Sequence, residues 1–204
     1  MSRLLLVRHG ITESNSARRF AGYSDVELTA EGLRQVEKLH DRLTKEKIDA
    51  VYCSDLKRAV VTAEIISSGH DVETVICPEL REINYGVCEG LTFEEIGRRY
   101  PELWEAITNF SLELNFAGGE SFKGFIARTS KFLDRLNKHP AEQTMLIVSH
   151  GGPLRTLVCE LLGIDQSHWR QLRCDNASLS IVETYPQRVI LSLFNDTSHL
   201  KEDV

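Results

Sequence analysis

Long apolar runs are absent from this 204-residue chain. The first, Leu4 to Val7, holds four residues, too few for a signal-peptide core, and none nears the roughly 20 residues of a membrane-spanning helix. An excess of positive charge is absent too. Lys and Arg number 24 against 30 Asp and Glu, a formal net charge of −6, so no basic field exists to hold nucleic acid or an anionic membrane. An anionic ligand therefore needs a local basic pocket. Cysteine is sparse and unpatterned: Cys53, Cys77, Cys88, Cys159 and Cys174 are odd in number and form no C-x-x-C, against a disulfide framework or a cysteine-type zinc site. A cytoplasmic location is expected. The 42% hydrophobic and 26% charged residues describe a globular chain, and its length predicts one domain over 1–204.

Short apolar runs alternate with helix-period segments. Leu4 to Val7 reads as a buried strand closed by Arg8-His9-Gly10. Thr29 is an N-cap for a helix to about Lys45 that buries Leu33, Val36, Leu39 and Leu43. Ile48 to Cys53 is a second strand, after which Ser54-Asp55 caps a helix carrying Leu56, Ala59, Val60, Ala63 and Ile66 inward. Val72 to Cys77 is a third strand, followed by a glycine-interrupted loop. Thr92 and Glu95 form a capping box, Pro101 restarts the chain, and Ser121 caps one helix through Phe122, Ile126, Thr129, Leu133 and Leu136. Met145 to Val148 is a strand ending in Ser149-His150-Gly151-Gly152, and its helix stops near Gly163. Ser178 to Thr184 and Val189 to Phe194 are joined too tightly for a crossover and predict an antiparallel pair. The pattern predicts a three-layer α/β/α sandwich with a largely parallel sheet and an antiparallel edge.

Ligands of open α/β sheets bind outside the carboxyl ends of the strands. Three strands here lead into basic residues: Arg8-His9, then Lys57-Arg58, then His150. Guanidinium forks match phosphate oxygens two at a time, so two Arg and two His at one sheet edge describe a phosphate pocket. A neutral imidazole can attack phosphorus while a protonated one and two Arg neutralise the equatorial oxygens, with no metal or cofactor required. Glu82, in the loop after the third strand, is the candidate proton donor to a leaving alkoxide, with Glu79 and Glu89 as competitors.

The run Leu6-Val7-Arg8-His9-Gly10-Ile11-Thr12-Glu13-Ser14-Asn15 resembles the Arg-His-Gly signature of the histidine phosphatase superfamily, the phosphoglycerate mutase-like family. Ser54 to Ala59, Glu79-Leu80-Arg81-Glu82 with Gly86 and Glu89-Gly90, Gly119-Glu120-Ser121 and Val148 to Gly152 are similar to its later segments, over about Arg3 to Leu162. The resemblance implies a single histidine phosphatase domain with His9 as phosphorylated nucleophile and Glu82 as proton donor. It makes Arg8, Arg58 and His150 the phosphate pocket, with His150 also catalytic, Asn15 a phosphate contact and Thr12 a weaker candidate. Asn15 reads equally as a helix-capping residue.

The interval from Glu82 to His150 is short for a cofactor-dependent mutase, which carries an insertion there, and this favours a phosphatase. The acid loop, Phe122 with Phe125, and Arg173-Cys174-Asp175 look similar to α-ribazole-5′-phosphate phosphatases of cobalamin assembly, and broad-specificity phosphatases share most of these residues. Cys88 stands where such acid loops often carry an aromatic residue, leaving Tyr23, Tyr85, Trp104 and Phe116 as stacking candidates. His168 beside Trp169 reads as packing, and Arg98-Arg99 as a solvated helix face that could greet a second anionic group. The expected partner is a small phosphomonoester, without nucleic acid or membrane. Remaining alternatives are a phosphoglycerate mutase, a catalytically silent phosphate-binding regulator and a His-based metal site, the last opposed by the cations beside the His.

Overall fold

The computed structural model describes residues 2–136 and 138–201. In chain order the elements are β1 (Ser2–Arg8), α1 (Glu13–Ser16), α2 (Ala30–Leu43), β2 (Ala50–Cys53), α3 (Lys57–Ser67), β3 (Thr74–Ile76), α4 (Phe93–Arg99) and α5 (Pro101–Asn109). Then come α6 (Phe122–Ser130), α7 (Leu133–Leu136), β4 (Thr144–Ser149), α8 (Gly151–Leu162), β5 (Leu179–Tyr185) and β6 (Arg188–Asp196). The described strands form one sheet in the order β3-β2-β4-β1-β5-β6. The first four run parallel, and β5 and β6 close one side antiparallel.

Strand residues alternate between faces, and both faces here are covered. Leu5 and Val7 of β1 join Val51, Cys53, Leu146 and Val148 against Val36, Leu39 and Leu43 of α2 and Ala59, Ala63 and Ile66 of α3. Leu4 and Leu6 face the other way with Met145 and Ile147, against Leu154, Leu157 and Val158 of α8 and Phe132. A third cluster lies off the sheet, where Ile83, Cys88, Ile96, Ile107, Leu114, Phe116, Phe122 and Phe125 bind the segment between β3 and α6 to itself.

Three local expectations are corrected. Leu33 is 38% exposed, because α2 buries the stripe through Val36, Leu39 and Leu43 and turns Leu33 toward a surface groove with Leu28 and Val61. Ser54 and Asp55 do not cap α3: Asp25 Oδ1, from a distant loop, accepts from Lys57 N at 2.8 Å, while Asp55 pairs with Arg81 and Ser54 turns toward His150. The single helix expected after Ser121 breaks beyond Ser130, since turning there inserts Phe132 into the sheet-side core and leaves α7 separate. The capping box of Thr92 and Glu95, the Ser121 cap and the left-handed Gly163 at φ 66° stand as the sequence predicts.

Candidate active site

Parallel pairing sets Arg8 opposite Ser149, so the next residues, His9 and His150, leave the sheet side by side. Their rings lie edge to face, centroids 5.0 Å apart, and both are buried. His9 Nδ1 sits 2.7 Å from the Gly10 carbonyl. A carbonyl oxygen only accepts, so Nδ1 carries the proton and Nε2 keeps its lone pair. His150 is held the opposite way. Its Nδ1 accepts from Arg58 Nε at 3.2 Å, and Nε2 lies 2.8 Å from Ser54 Oγ, to which it can donate. Burial first, then the Arg58 and Arg8 charges, push the His9 pKa well below its ordinary value; burial, Arg58 and His9 do the same to His150. His9 therefore has the protonation of a nucleophile, and burial beside Arg58 and Arg8 favours the neutral ring for His150 too, against the expectation that the second His stays protonated.

Arg58 is 1% exposed and is anchored through Nη1 to Ser24 O at 2.7 Å and through Nη2 to Ala21 O and Gly22 O at 3.2 and 2.7 Å. It thereby ties the 21–24 loop over the site, whose backbone N–H groups bind the Glu89 carboxylate. Glu89, a competitor for the acid role, is occupied as that loop's anchor, and Glu79 pairs with Arg135 away from the pocket. Arg8 donates through Nη1 to Cys174 O at 2.6 Å, while its buried Nε has no partner among the described residues. Glu82 is 8% exposed, accepts from Ile83 N at 2.9 Å and Gly152 N at 3.1 Å, and lines an open pocket with Arg8, Asn15, Arg18, Arg19, Ala21 and Tyr85.

Asn15 fulfils the capping reading. It closes a capping box with Thr12 on α1, and its Oδ1 also accepts from Asn176 Nδ2 at 3.0 Å. The oxygen so fixed leaves Nδ2 as the amide donor available to the pocket. Thr12 is buried and serves the cap. Asn176 and Arg18 were not singled out by the sequence, and Ser54 was read there as a helix cap opening a motif segment rather than as a partner of His150. Asn176 also donates to His9 O at 3.2 Å, a contact made because β5 runs antiparallel beside β1 and brings the residues before it to the end of β1.

Beyond Tyr85 and Phe20, which line both, the open pocket adjoins an aromatic one walled by Phe110, Phe116, Phe122, Trp169 and Arg155. Of the stacking candidates, Tyr85 and Phe116 are there; Tyr23 packs beneath Arg81 and Arg128, and Trp104 lies outside against Phe93. Trp169 lines the pocket and donates from Nε1 to Gly152 O at 3.1 Å. Arg98 pairs with Glu94 on an exposed face, and Arg99 borders a separate groove.

Cysteine chemistry is disfavoured. All five thiols are free and buried, and burial pushes Cys53 up to about 12 and Cys77 and Cys88 to about 11. Among the described residues no group of three or more His, Cys, Asp or Glu gathers at metal-binding distances, and no helix is long and apolar enough to cross a membrane.

The model of the histidine phosphatase superfamily (branch 1) matches residues 4–197. The chain belongs to that superfamily. Phosphoserine phosphatase 1 of Hydrogenobacter thermophilus is 35% identical over 99% of this chain and 96% of its own length. The adenosylcobalamin/alpha-ribazole phosphatase of Escherichia coli is 31% identical over 95% of each. The crystal structure of the alpha-ribazole phosphatase from Shigella flexneri superimposes with a TM-score of 0.90 at 31% identity over 96% of both chains. This histidine phosphatase thus has the phosphoglycerate mutase-like fold and is a phosphoric monoester hydrolase. Its relatives carry different substrate names on one framework.

Proposed function

We propose that this histidine phosphatase hydrolyses small organic phosphomonoesters through a phospho-His9 intermediate. The opposed tautomers carry the reading: Nε2 of His9 is free to attack because Gly10 O holds Nδ1–H. The lone pair forms the N–P bond as the ester O–P bond breaks, and Glu82 delivers the proton that the departing alkoxide takes up. Arg8, Arg58, His150 and the Asn15 amide hold the phosphoryl oxygens. His150 stays neutral, because its only unprotonated nitrogen, Nδ1, already accepts from Arg58 Nε, and its Nε2–H is the donor that can turn from Ser54 Oγ to a phosphoryl oxygen. Water, deprotonated by Glu82, then attacks phospho-His9, breaks the N–P bond and releases phosphate.

The aromatic pocket beside Glu82 supports an alcohol with apolar or flat surface, which α-ribazole 5′-phosphate would satisfy. Five free, buried cysteines support a reducing, cytoplasmic setting. Rapid quench with ³²P-labelled substrate should trap an acid-labile, base-stable phosphohistidine, and His9→Ala should abolish it and turnover while folding normally. Retained turnover in His9→Ala, or no trapped intermediate, overturns the covalent mechanism.

A further inference from the structure

Two of the buried side-chain atoms without a partner among the described residues are guanidinium Nε atoms, those of Arg8 and Arg155. Arg8 lines the open pocket and Arg155 the aromatic one. Arg155 forms no ion pair among the described residues, although twelve other cation–carboxylate pairs are present. Its guanidinium lies 4.9 Å over the Trp169 ring. Stacking of that kind uses the face of the plane and leaves the in-plane N–H donors free. The other cation of this pocket is engaged differently, since Arg170 donates to the carbonyls of Ile107 and Thr108. A half-buried guanidinium without a counter-charge costs stability, and a ligand anion removes that cost.

Its position relative to the chemistry is fixed by one residue of α8, Gly152. Gly152 N donates to Glu82, and Gly152 O accepts from Trp169 Nε1. Arg155 stands one helical turn further along α8. The aromatic pocket is therefore on the leaving-group side of the site, next to the group proposed to protonate the alkoxide.

We propose that Arg155, stacked on Trp169, is the binding site for a carboxylate on the substrate's alcohol portion, so that the preferred substrates are phosphorylated hydroxy acids or amino acids rather than neutral nucleoside phosphates. The proposal rests on the phosphatase reading above and sets aside the neutral α-ribazole 5′-phosphate that the aromatic walls alone would admit. The Nε and Nη donors form the bidentate edge that a carboxylate fits, while Phe110, Phe116 and Phe122 exclude water from the pair. Arg155 touches the substrate only through that distant group.

Two matched pairs test this, each differing only in the carboxylate: O-phospho-L-serine against O-phosphoethanolamine, and 3-phosphoglycerate against glycerol 1-phosphate, with α-ribazole 5′-phosphate and p-nitrophenyl phosphate alongside. The wild type should favour the acid of each pair by at least roughly tenfold in kcat/KM. Arg155→Met should remove most of that advantage through KM, and Arg155→Lys should restore part of it. No preference in the wild type, a better rate on α-ribazole 5′-phosphate than on either acid, an unaltered preference in Arg155→Met, or an equal loss on every substrate overturns the carboxylate site. Wild-type protein inert toward all of them, p-nitrophenyl phosphate included, overturns the underlying phosphatase reading and this proposal with it.

Discussion

At the residue scale, the site sets two chemically identical side chains apart by what touches their nitrogens. A carbonyl beside His9 and a guanidinium beside His150 leave one ring with a free Nε2 lone pair and the other with its proton on Nε2. Both stay neutral in the fold because charging them in a buried pocket beside Arg8 and Arg58 is costly. The unfolded chain protonates both near the ordinary value of 6.5. Below that pH the unfolded state binds more protons than the fold, so stability falls as pH drops from about 6.5 until the buried rings themselves titrate. Urea denaturation between about pH 5 and pH 8 should show that decline in the ligand-free protein and a shallower one in His9→Gln/His150→Gln. Matching slopes would mean that the rings are not held neutral.

At the scale of elements, the start of α8 is the part that joins acid, aromatic pocket and second His. A Cβ on Gly152 would fall 2.0 Å from Glu82 Oε1 and 3.1 Å from the Phe125 ring. The nearer atom ends a flexible side chain, so Gly152→Ala should swing Glu82 away at modest cost to the fold. Proton delivery matters for an alkyl alkoxide and little for p-nitrophenolate. The substitution should slow an alkyl phosphate by roughly 10²-fold or more and p-nitrophenyl phosphate far less, with a near-native melting temperature. Glu82→Gln should give the same ratio. Equal losses on both substrates would assign Glu82 to holding Gly152 rather than to proton transfer.

At the scale of the whole molecule, a chain of net charge −6 concentrates Arg8, Arg58 and two His at one sheet edge, the arrangement proposed above to hold a phosphate dianion. Positive charge supplied in this way predicts that EDTA leaves the rate unchanged and that vanadate, which adopts five-coordinate geometry, inhibits well below KM. Full loss with chelator and rescue by one divalent ion would overturn that. The segment between Glu82 and α6 walls the aromatic pocket and leaves the phosphate pocket beside it open, so water should reach phospho-His9. Phosphate release should outrun conversion of 3- to 2-phosphoglycerate, with or without a bisphosphoglycerate primer. Primer-dependent isomerisation faster than release would make the chain a mutase.

The sequence by itself determined what depends on neighbours along the chain. The apolar runs of β1 and β4, the caps at Thr29, Thr92 and Ser121 and the stop at Gly163 are local signals, and the local fold obeys them. His9 and His150 were legible because each follows a strand, and strands of a parallel sheet deliver such residues to the same edge. Tertiary structure alone decided the rest. Asp25 reaches across to cap α3, which leaves Ser54 for His150, and Asn176 meets His9 only because β5 pairs beside β1. Trp169 and Arg155 become a pocket wall only once the turn at Gln166–Gln171 folds against Gly152. These contacts join residues far apart in the chain, and their partners are chosen by strand order and packing, which no spacing within the sequence encodes.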